Sequence, residues 1–147
     1  MGGDVQLPKV ERYFAGGDTS NRGLEEDMAW AELTLAPVAP LSGASYYFVR
    51  PQGGNIRLLT NAEIQFPIWR ESILFGLPLM GAIFIDNGML ANSFFGFDVA
   101  DFRHGAGLAL RIVTPVGFSS FEYAWALDPE PWDPTLGRFH FNFGFVF

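Results

Sequence analysis

The sequence predicts an all-β protein, and specifically an antiparallel transmembrane β-barrel. Three observations lead to this prediction. Apolar and polar residues alternate with a period of two along several segments. No helix with amphipathic spacing and caps is available to cover the apolar faces, and no uninterrupted run of about 20 apolar residues could form a membrane-spanning helix. A soluble β-sandwich is the less favoured alternative, because it would leave rows of aromatic side chains uncovered.

Five strands stand out in the pattern and three more are weaker. The clear strands are predicted over residues 54–67, 77–88, 105–115, 118–127 and 139–147. The weaker strands are predicted over residues 5–14, 28–36 and 45–50, of which the last two could form an extra hairpin. The stretch from Asn87 to His104 reads as a longer loop, so that short and long connections alternate, as they do in a membrane barrel.

The terminal segment carries the cleanest alternation. Every odd position is aromatic, namely Phe139, Phe141, Phe143, Phe145 and Phe147. Small or polar residues stand between them. A strand of this kind could face either a protein core or lipid, so the neighbouring strands decide between the two.

Those neighbouring strands place charged groups opposite a continuous apolar face. Glu63 lies on the polar face of its strand, and Asp86 lies on the face of Phe84. Both carboxylates are therefore predicted to point into the lumen. Arg111 and Glu122 also lie opposite apolar neighbours, and an ordinary cross-strand ion pair would explain them.

Composition and charge narrow the function classes. The 147 residues suffice for about one domain, with 49% hydrophobic residues, 17% charged residues and a net charge of −7. The chain lacks the basic footprint that displaces counterions from a phosphate backbone, so no nucleic acid partner is expected. It has no cysteine, and His104 and His140 lack metal-ligand or hydrolase spacing. We expect no catalytic residue, metal or cofactor, and so no enzyme.

Four segments match the motifs of one family in the family's order. They are ERYFAGGDTSNRG over residues 11–23, the strand from Gly53 to Pro67, AIFIDNG over residues 82–88, and GAGLALRIVTPVG over residues 105–117, followed by the strand that ends in Phe147. Any one motif would be weak, whereas four in order are specific. Through them the chain resembles the C-terminal part of the barrel of the Omp85 superfamily, the outer-membrane assembly and secretion proteins that include BamA and TamA.

Some positions depart from the family pattern. Asn21 stands where the loop motif usually has Val, Leu24 where it has Phe or Tyr, and Phe118 where a second Pro is frequent. Residues 25–52 match nothing well. These departures concern the detailed position of the loop and not the resemblance to the family.

The resemblance implies a bacterial-type outer-membrane location and a sixteen-stranded barrel, to which residues 1–147 would contribute a single segment of C-terminal strands. Remaining barrel strands or another chain would complete the ring, and a self-contained eight-stranded barrel is the alternative. Residues 15–52 would form a long extracellular loop that can fold into the lumen. There Arg22, followed by Gly23, would pair with Glu63 and Asp86 as a loop–lumen lock. The ordinary alternative is a solvated loop arginine.

The resemblance also implies a function in the lipid bilayer. The chain would help to insert nascent outer-membrane proteins, with the strand from Phe139 to Phe147 as one side of a lateral gate where an incoming strand pairs. The ordinary alternative is that this strand simply closes the barrel. Two other functions stay open, namely a polypeptide secretion pore of the two-partner type and a small structural barrel.

Overall fold

The computed structural model describes residues 7–37, 45–69, 77–94, 98–114, 117–133 and 135–145. The strands in these ranges are β1 (Ala31–Pro37), β2 (Ser45–Pro51), β3 (Ile56–Trp69), β4 (Leu79–Ala91), β5 (Arg103–Thr114), β6 (Gly117–Ala126) and β7 (Arg138–Phe145). Two short 3₁₀ turns, Lys9–Glu11 and Val99–Asp101, are the helical elements there. Neither turn has the length and apolar character that a membrane crossing by a helix requires.

The strands β3 to β7 form one five-stranded antiparallel sheet in which each strand pairs with the next along the chain. Its registers are regular, and the irregularity in the β3–β4 pairing lies between Pro67 and Trp69. Over the described residues, β3 and β7 are the two edge strands of this sheet. An edge strand presents backbone N–H and C=O groups that a further strand can pair with.

One face of this sheet, which we call the outer face, is apolar and exposed. A single cross-strand row on it consists of Ile64, Ile83, Leu108, Tyr123 and Phe139. All five side chains belong to the large exposed hydrophobic residues of the structure. An uncovered face of this composition suits contact with hydrocarbon, because the lipid-facing side of a membrane barrel is an apolar band.

The opposite face, which we call the inner face, is polar and has small residues at its centre. One of its rows runs Glu63, Phe84, Gly107, Ala124 and Arg138. The next row runs Gln65, Ala82, Ala109, Glu122 and His140. The glycine and alanines at the centre of both rows leave room for another part of the chain to lie against the sheet.

The extra hairpin predicted within residues 28–50 is present. The strands β1 and β2 form a separate two-stranded antiparallel sheet, with a register from Ala31 opposite Pro51 to Pro37 opposite Ser45. An isolated two-stranded hairpin is marginally stable at best. A backbone hydrogen bond of 2.9 Å from the Gln52 N–H to the Trp30 carbonyl continues the pairing beyond its base.

The predicted loop between Asn87 and His104 is shorter than expected. The strand β4 continues to Ala91 and β5 already begins at Arg103. Asn87 and Gly88, which lie at the predicted end of the strand over residues 77–88, form a dipeptide typical of turns, but the Asn87 side-chain amide donates to the Thr60 hydroxyl at 3.1 Å across the ladder. This cross-strand bond lets the pairing run on through the dipeptide.

The strand predicted over residues 5–14 is wrong for its described part, residues 7–14. Pro8, which has no N–H to give to a ladder, instead accepts a hydrogen bond of 2.9 Å from the Glu11 N–H and opens a 3₁₀ turn. The extended pairing is limited to one isolated bridge between Tyr13 and Gly54. This segment therefore reaches the end of the sheet without joining it as a strand.

Candidate functional site

Residues 15–29, which we call the inner loop, fold into a compact turn. Gly16 and Gly17 have φ values of 120° and 82°, which residues with a side chain adopt only at a cost. The Ser20 hydroxyl accepts a hydrogen bond from the Gly16 N–H at 2.7 Å and donates one to the Gly16 carbonyl at 2.8 Å. The Gly17 N–H donates to the Leu24 carbonyl at 3.1 Å. These bonds shape the loop from within.

An apolar contact seals the inner loop to the sheet. Leu24 is fully buried and packs with Ala15, Ala29 and Leu90 of β4. Burying a leucine side chain contributes about 1.5–3 kcal/mol relative to leaving it exposed. Leu24, which departs from the aromatic residue of the family motif, thus provides the apolar contact between loop and strand.

The guanidinium of Arg22 lies among three carboxylates on the inner face. Its Nε and Nη2 donate to the two oxygens of Asp86 at 2.7 and 2.9 Å. Its Nη1 donates to Glu122 at 2.8 Å and to Glu63 at 3.3 Å. The Phe84 ring lies beneath the group, with the Arg22 Cζ 3.3 Å from the ring centroid. The structure therefore brings Arg22, Glu63 and Asp86 together and adds Glu122.

These contacts are largely shielded from water. The side chain of Arg22 is 12% exposed, that of Glu122 is 5% exposed, and that of Asp86 is fully buried. Burial disfavours the charged guanidinium, but hydrogen bonds and charge interactions with Asp86 and Glu122 outweigh it, so the pKa of Arg22 lies above its ordinary value. Arg22 therefore carries its positive charge at neutral pH.

A second arginine binds two of the same carboxylates. Arg111 forms a bidentate contact with Glu63, in which Nη2 donates to Oε2 at 2.9 Å and Nη1 contacts Oε1. Its Nη2 also lies 3.3 Å from Glu122. We call the set Arg22, Glu63, Asp86, Arg111 and Glu122 the ion network. Two arginines and three carboxylates give it a net charge of −1.

Neutral groups complete the hydrogen bonding of Asp86. The Asn61 side chain donates to Asp86 Oδ1 at 2.8 Å, and the Arg22 N–H donates to Oδ2 at 3.1 Å. The Asn21 side chain donates to the Asp86 and Arg103 carbonyls at 3.3 and 3.0 Å. Asn21, the other departure from the loop motif, is thus buried and bonded to two strands.

Gly23 marks the closest approach of the inner loop to the sheet. A Cβ built at this position would lie 2.5 Å from the Trp125 carbonyl oxygen and 2.9 Å from Gly105 Cα. Both neighbours are backbone atoms, so neither can move aside by changing a rotamer. The position next to Arg22 has room for glycine and nothing larger.

The terminal strand touches the inner loop from its inner side. His140 Nε2 lies 2.8 Å from the Arg22 carbonyl oxygen, and Arg138 Nη1 lies 3.7 Å from Glu25 Oε1. On the outer side, Phe139, Phe141 and Phe143 are exposed. Phe145 ends β7, and Phe147 lies outside the described residues.

A second charged cluster lies beside the inner loop, at the start of β5. The Arg103 side chain is 11% exposed and forms an ion pair with the fully buried Asp133. It also donates to the Ala29 carbonyl at 3.4 Å and to the Asp128 carbonyl at 3.3 Å. Arg103 thus ties the inner loop to residues 127–137, the connection between β6 and β7.

We expect Asp133→Asn to loosen the connection between β6 and β7. Removing one partner of a buried ion pair costs up to about 3–5 kcal/mol, and Arg103 would keep only the more exposed Asp128 carboxylate, whose Oδ2 lies 3.8 Å from Nε. Limited proteolysis within residues 127–137, followed by mass spectrometry, measures the change. Glu25→Gln is the matched control, because its pair with Arg138 is exposed and such pairs contribute about 0–1 kcal/mol. Equal cleavage rates in the two variants would contradict this role of Asp133.

The alternation of side chains along the strands could have indicated part of the ion network that the sequence did not predict. That alternation places Arg111 and Glu122 on the inner face with Glu63. The register, with Arg111 opposite Ser120, brings Arg111 close enough to contact Glu122. No sequence signal indicates the Arg103–Asp133 pair, because Asp133 lies in an irregular connection. Among the described residues, no group of three or more His, Asp or Glu side chains could hold a metal ion. The arrangement can hold a loop, and its acids are paired with arginines.

Comparison with known proteins gives one family. The family model described as "Omp85 superfamily domain" matches the chain over residues 1–147. No curated protein matches the chain.

Proposed function

Because the chain belongs to the Omp85 superfamily, a family of outer-membrane β-barrel proteins that insert or secrete other proteins, we propose that it inserts nascent outer-membrane proteins into the bilayer. It would do so by strand pairing at a lateral gate, without covalent catalysis. The single observation that carries this proposal is the edge strand β7. Over the described residues it pairs with β6 alone and directs exposed phenylalanines to the outer face.

The chemistry of such an edge supports the proposal. A strand in lipid must satisfy its backbone groups by pairing, since no water is available to do so. An incoming strand that pairs with β7 gains those hydrogen bonds, and its alternating side chains continue the apolar outer face and the polar inner face. The edge would therefore act as a template for a substrate of the same architecture.

The ion network supports a second part of the proposal. Arg22, Gly23, Glu63 and Asp86 would act as a lock that holds the inner loop in the lumen. The lock would work through the planar fork of arginine, which meets several carboxylates at once in a way that lysine cannot copy. Contacts of Arg22 to β3, β4 and β6 make the loop position dependent on the geometry of the sheet.

Site-specific cross-linking tests the strand pairing. We expect a cysteine at Phe141, on the outer face of the edge strand, to form disulfides with cysteines in a terminal strand of an arriving barrel protein during insertion into liposomes. The matched control is Ile83→Cys, which has similar exposure on the same face but lies on β4, a strand paired on both sides. Register-dependent cross-links at 141 and none at 83 are the expected result.

Two outcomes contradict the proposal. Equal cross-linking at both positions would mean nonspecific contact with the lipid-facing surface. A secreted, soluble polypeptide that cross-links to inner-face positions and appears inside the liposomes, with no cross-link at 141, would favour the secretion pore instead.

A further inference from the structure

We propose that His140 makes the terminal strand a sensor of the inner loop, so that β7 stays fully paired with β6 only while the loop is docked. This inference rests on the proposed function, because it concerns how the gate strand is held. It assigns His140 as a positioning residue, with Arg138 as its weaker helper. The sequence alone left both residues as ordinary polar groups of the strand.

One residue of the loop, Arg22, is held by two strands. The Arg22 side chain contacts Glu122, while its carbonyl oxygen lies 2.8 Å from His140 Nε2. Glu122 and His140 are themselves direct register partners across the β6–β7 ladder. Arg22 therefore spans that ladder, and a displacement of Arg22 changes the contacts of both strands at the same row.

The strand β7 depends on such contacts more than the central strands do. The strands β4 and β5 are paired on both sides, whereas β7 is paired with β6 alone over the described residues. Segments with fewer partners open locally at lower free energy. A hydrogen bond from the loop therefore makes up a larger share of the stability of β7 than it would for β4.

Other contacts of β7, and of the connection that precedes it, also link this strand to the inner loop. Arg138, the preceding inner-face residue of β7, lies 3.7 Å from Glu25 of the loop, although this pair is exposed and weak. Arg103 joins the Ala29 carbonyl of the loop to Asp133 in the connection that precedes β7. Undocking of the loop thus removes support from both the strand and the connection leading into it.

The chemistry of the contact fixes the choice of variants. The Arg22 carbonyl accepts a hydrogen bond, so His140 must present Nε2–H to it. Glutamine keeps a donor of similar reach, whereas leucine removes the donor and leaves a partly buried carbonyl unpaired. His140→Gln is therefore the conservative variant and His140→Leu the disruptive one. Asn142→Leu is the matched control, because Asn142 is the next inner-face residue of β7 and makes no hydrogen bond to the inner loop within the described part of the chain.

Hydrogen–deuterium exchange of the full chain in detergent micelles tests the inference. We expect His140→Leu to speed exchange of the β7 amides about fivefold to tenfold, the factor that corresponds to the loss of one net hydrogen bond. The β4 amides should keep their rates, and His140→Gln should restore those of β7. Asn142→Leu should leave the inner loop as protected as it is in the unchanged chain.

A double variant decides between coupling and plain destabilisation. In an Arg22→Ala chain the loop carbonyl has left, so adding His140→Leu should not speed β7 exchange further. Independent, additive effects would overturn the inference, as would a uniform rise over β4 and β7. The readout needs no insertion substrate, so a chain that fails to insert barrel proteins can still show the coupling, and the two failures are distinguishable.

Discussion

Replacing Arg22 with alanine should release the inner loop from the sheet and remove most of the proposed insertion activity. The change leaves three carboxylates with Arg111 as their one remaining cation in the ion network. Asp86 is fully buried and loses its ion-pair partner, and a buried charge left in this way costs about 3–5 kcal/mol. Undocking of the loop relieves that cost, because it lets water reach the acids.

Protease sensitivity of residues 15–37 measures the release, and insertion of a barrel protein into liposomes measures the activity. Arg22→Lys should be almost as harmful, since an ammonium cannot form the planar contacts with Asp86 and Glu122 at the same time. Arg57→Ala is the control for loss of positive charge alone, because Arg57 is exposed and its contacts to the described residues, with the Phe14 carbonyl and the Tyr13 ring, lie outside the ion network. Unchanged protease sensitivity and activity in Arg22→Ala would refute the lock.

Gly23→Ala should produce the same released loop with every charge in place. The new Cβ would lie 2.5 Å from the Trp125 carbonyl oxygen, and a contact this short forces the backbone apart. Overpacking of this kind typically costs about 1–3 kcal/mol, and here it acts directly beside Arg22. We therefore expect increased cleavage of the loop and a marked loss of insertion activity.

Gly88→Ala is the matched control for Gly23→Ala. Gly88 is also a buried inner-face glycine, but its Cβ would meet a terminal methyl of Leu59 at 3.2 Å, and that side chain can move. Its loop should remain protected. If Gly23→Ala is cleaved no faster than Gly88→Ala, the inner loop does not need its close approach to the sheet in order to stay docked.

The alternation of side chains was enough to predict the sheet. It identified the five strands β3 to β7 and the outer face, because a period of two assigns every residue of a strand to one side. It was less accurate at strand ends, where single contacts determine whether the pairing continues. The strand β4 continues to Ala91, beyond the predicted end at residue 88, and the Asn87 side chain donates a hydrogen bond across the ladder there.

The site was predictable only where the resemblance supplied a long-range link. The alternation of side chains placed Glu63 and Asp86 on the inner face, but nothing in their own strands shows that a residue at position 22 contacts them. Contacts that depend on how an irregular loop lies, such as those of His140 and Asp133, have no periodic signal. Asn21 and Leu24 departed from the motif, yet both are buried, so a departure from a pattern can mark a contact that the chain has rebuilt.

The order in which the strands pair has a consequence for how the protein acquires its structure. Every ladder of the main sheet joins consecutive strands, so the sheet can grow hairpin by hairpin with short loop closures. Arg22, in contrast, reaches partners 41, 64 and 100 residues away along the chain. Its full set of contacts can form only after β3, β4 and β6 stand in register, so complete docking of the loop must follow the assembly of these strands.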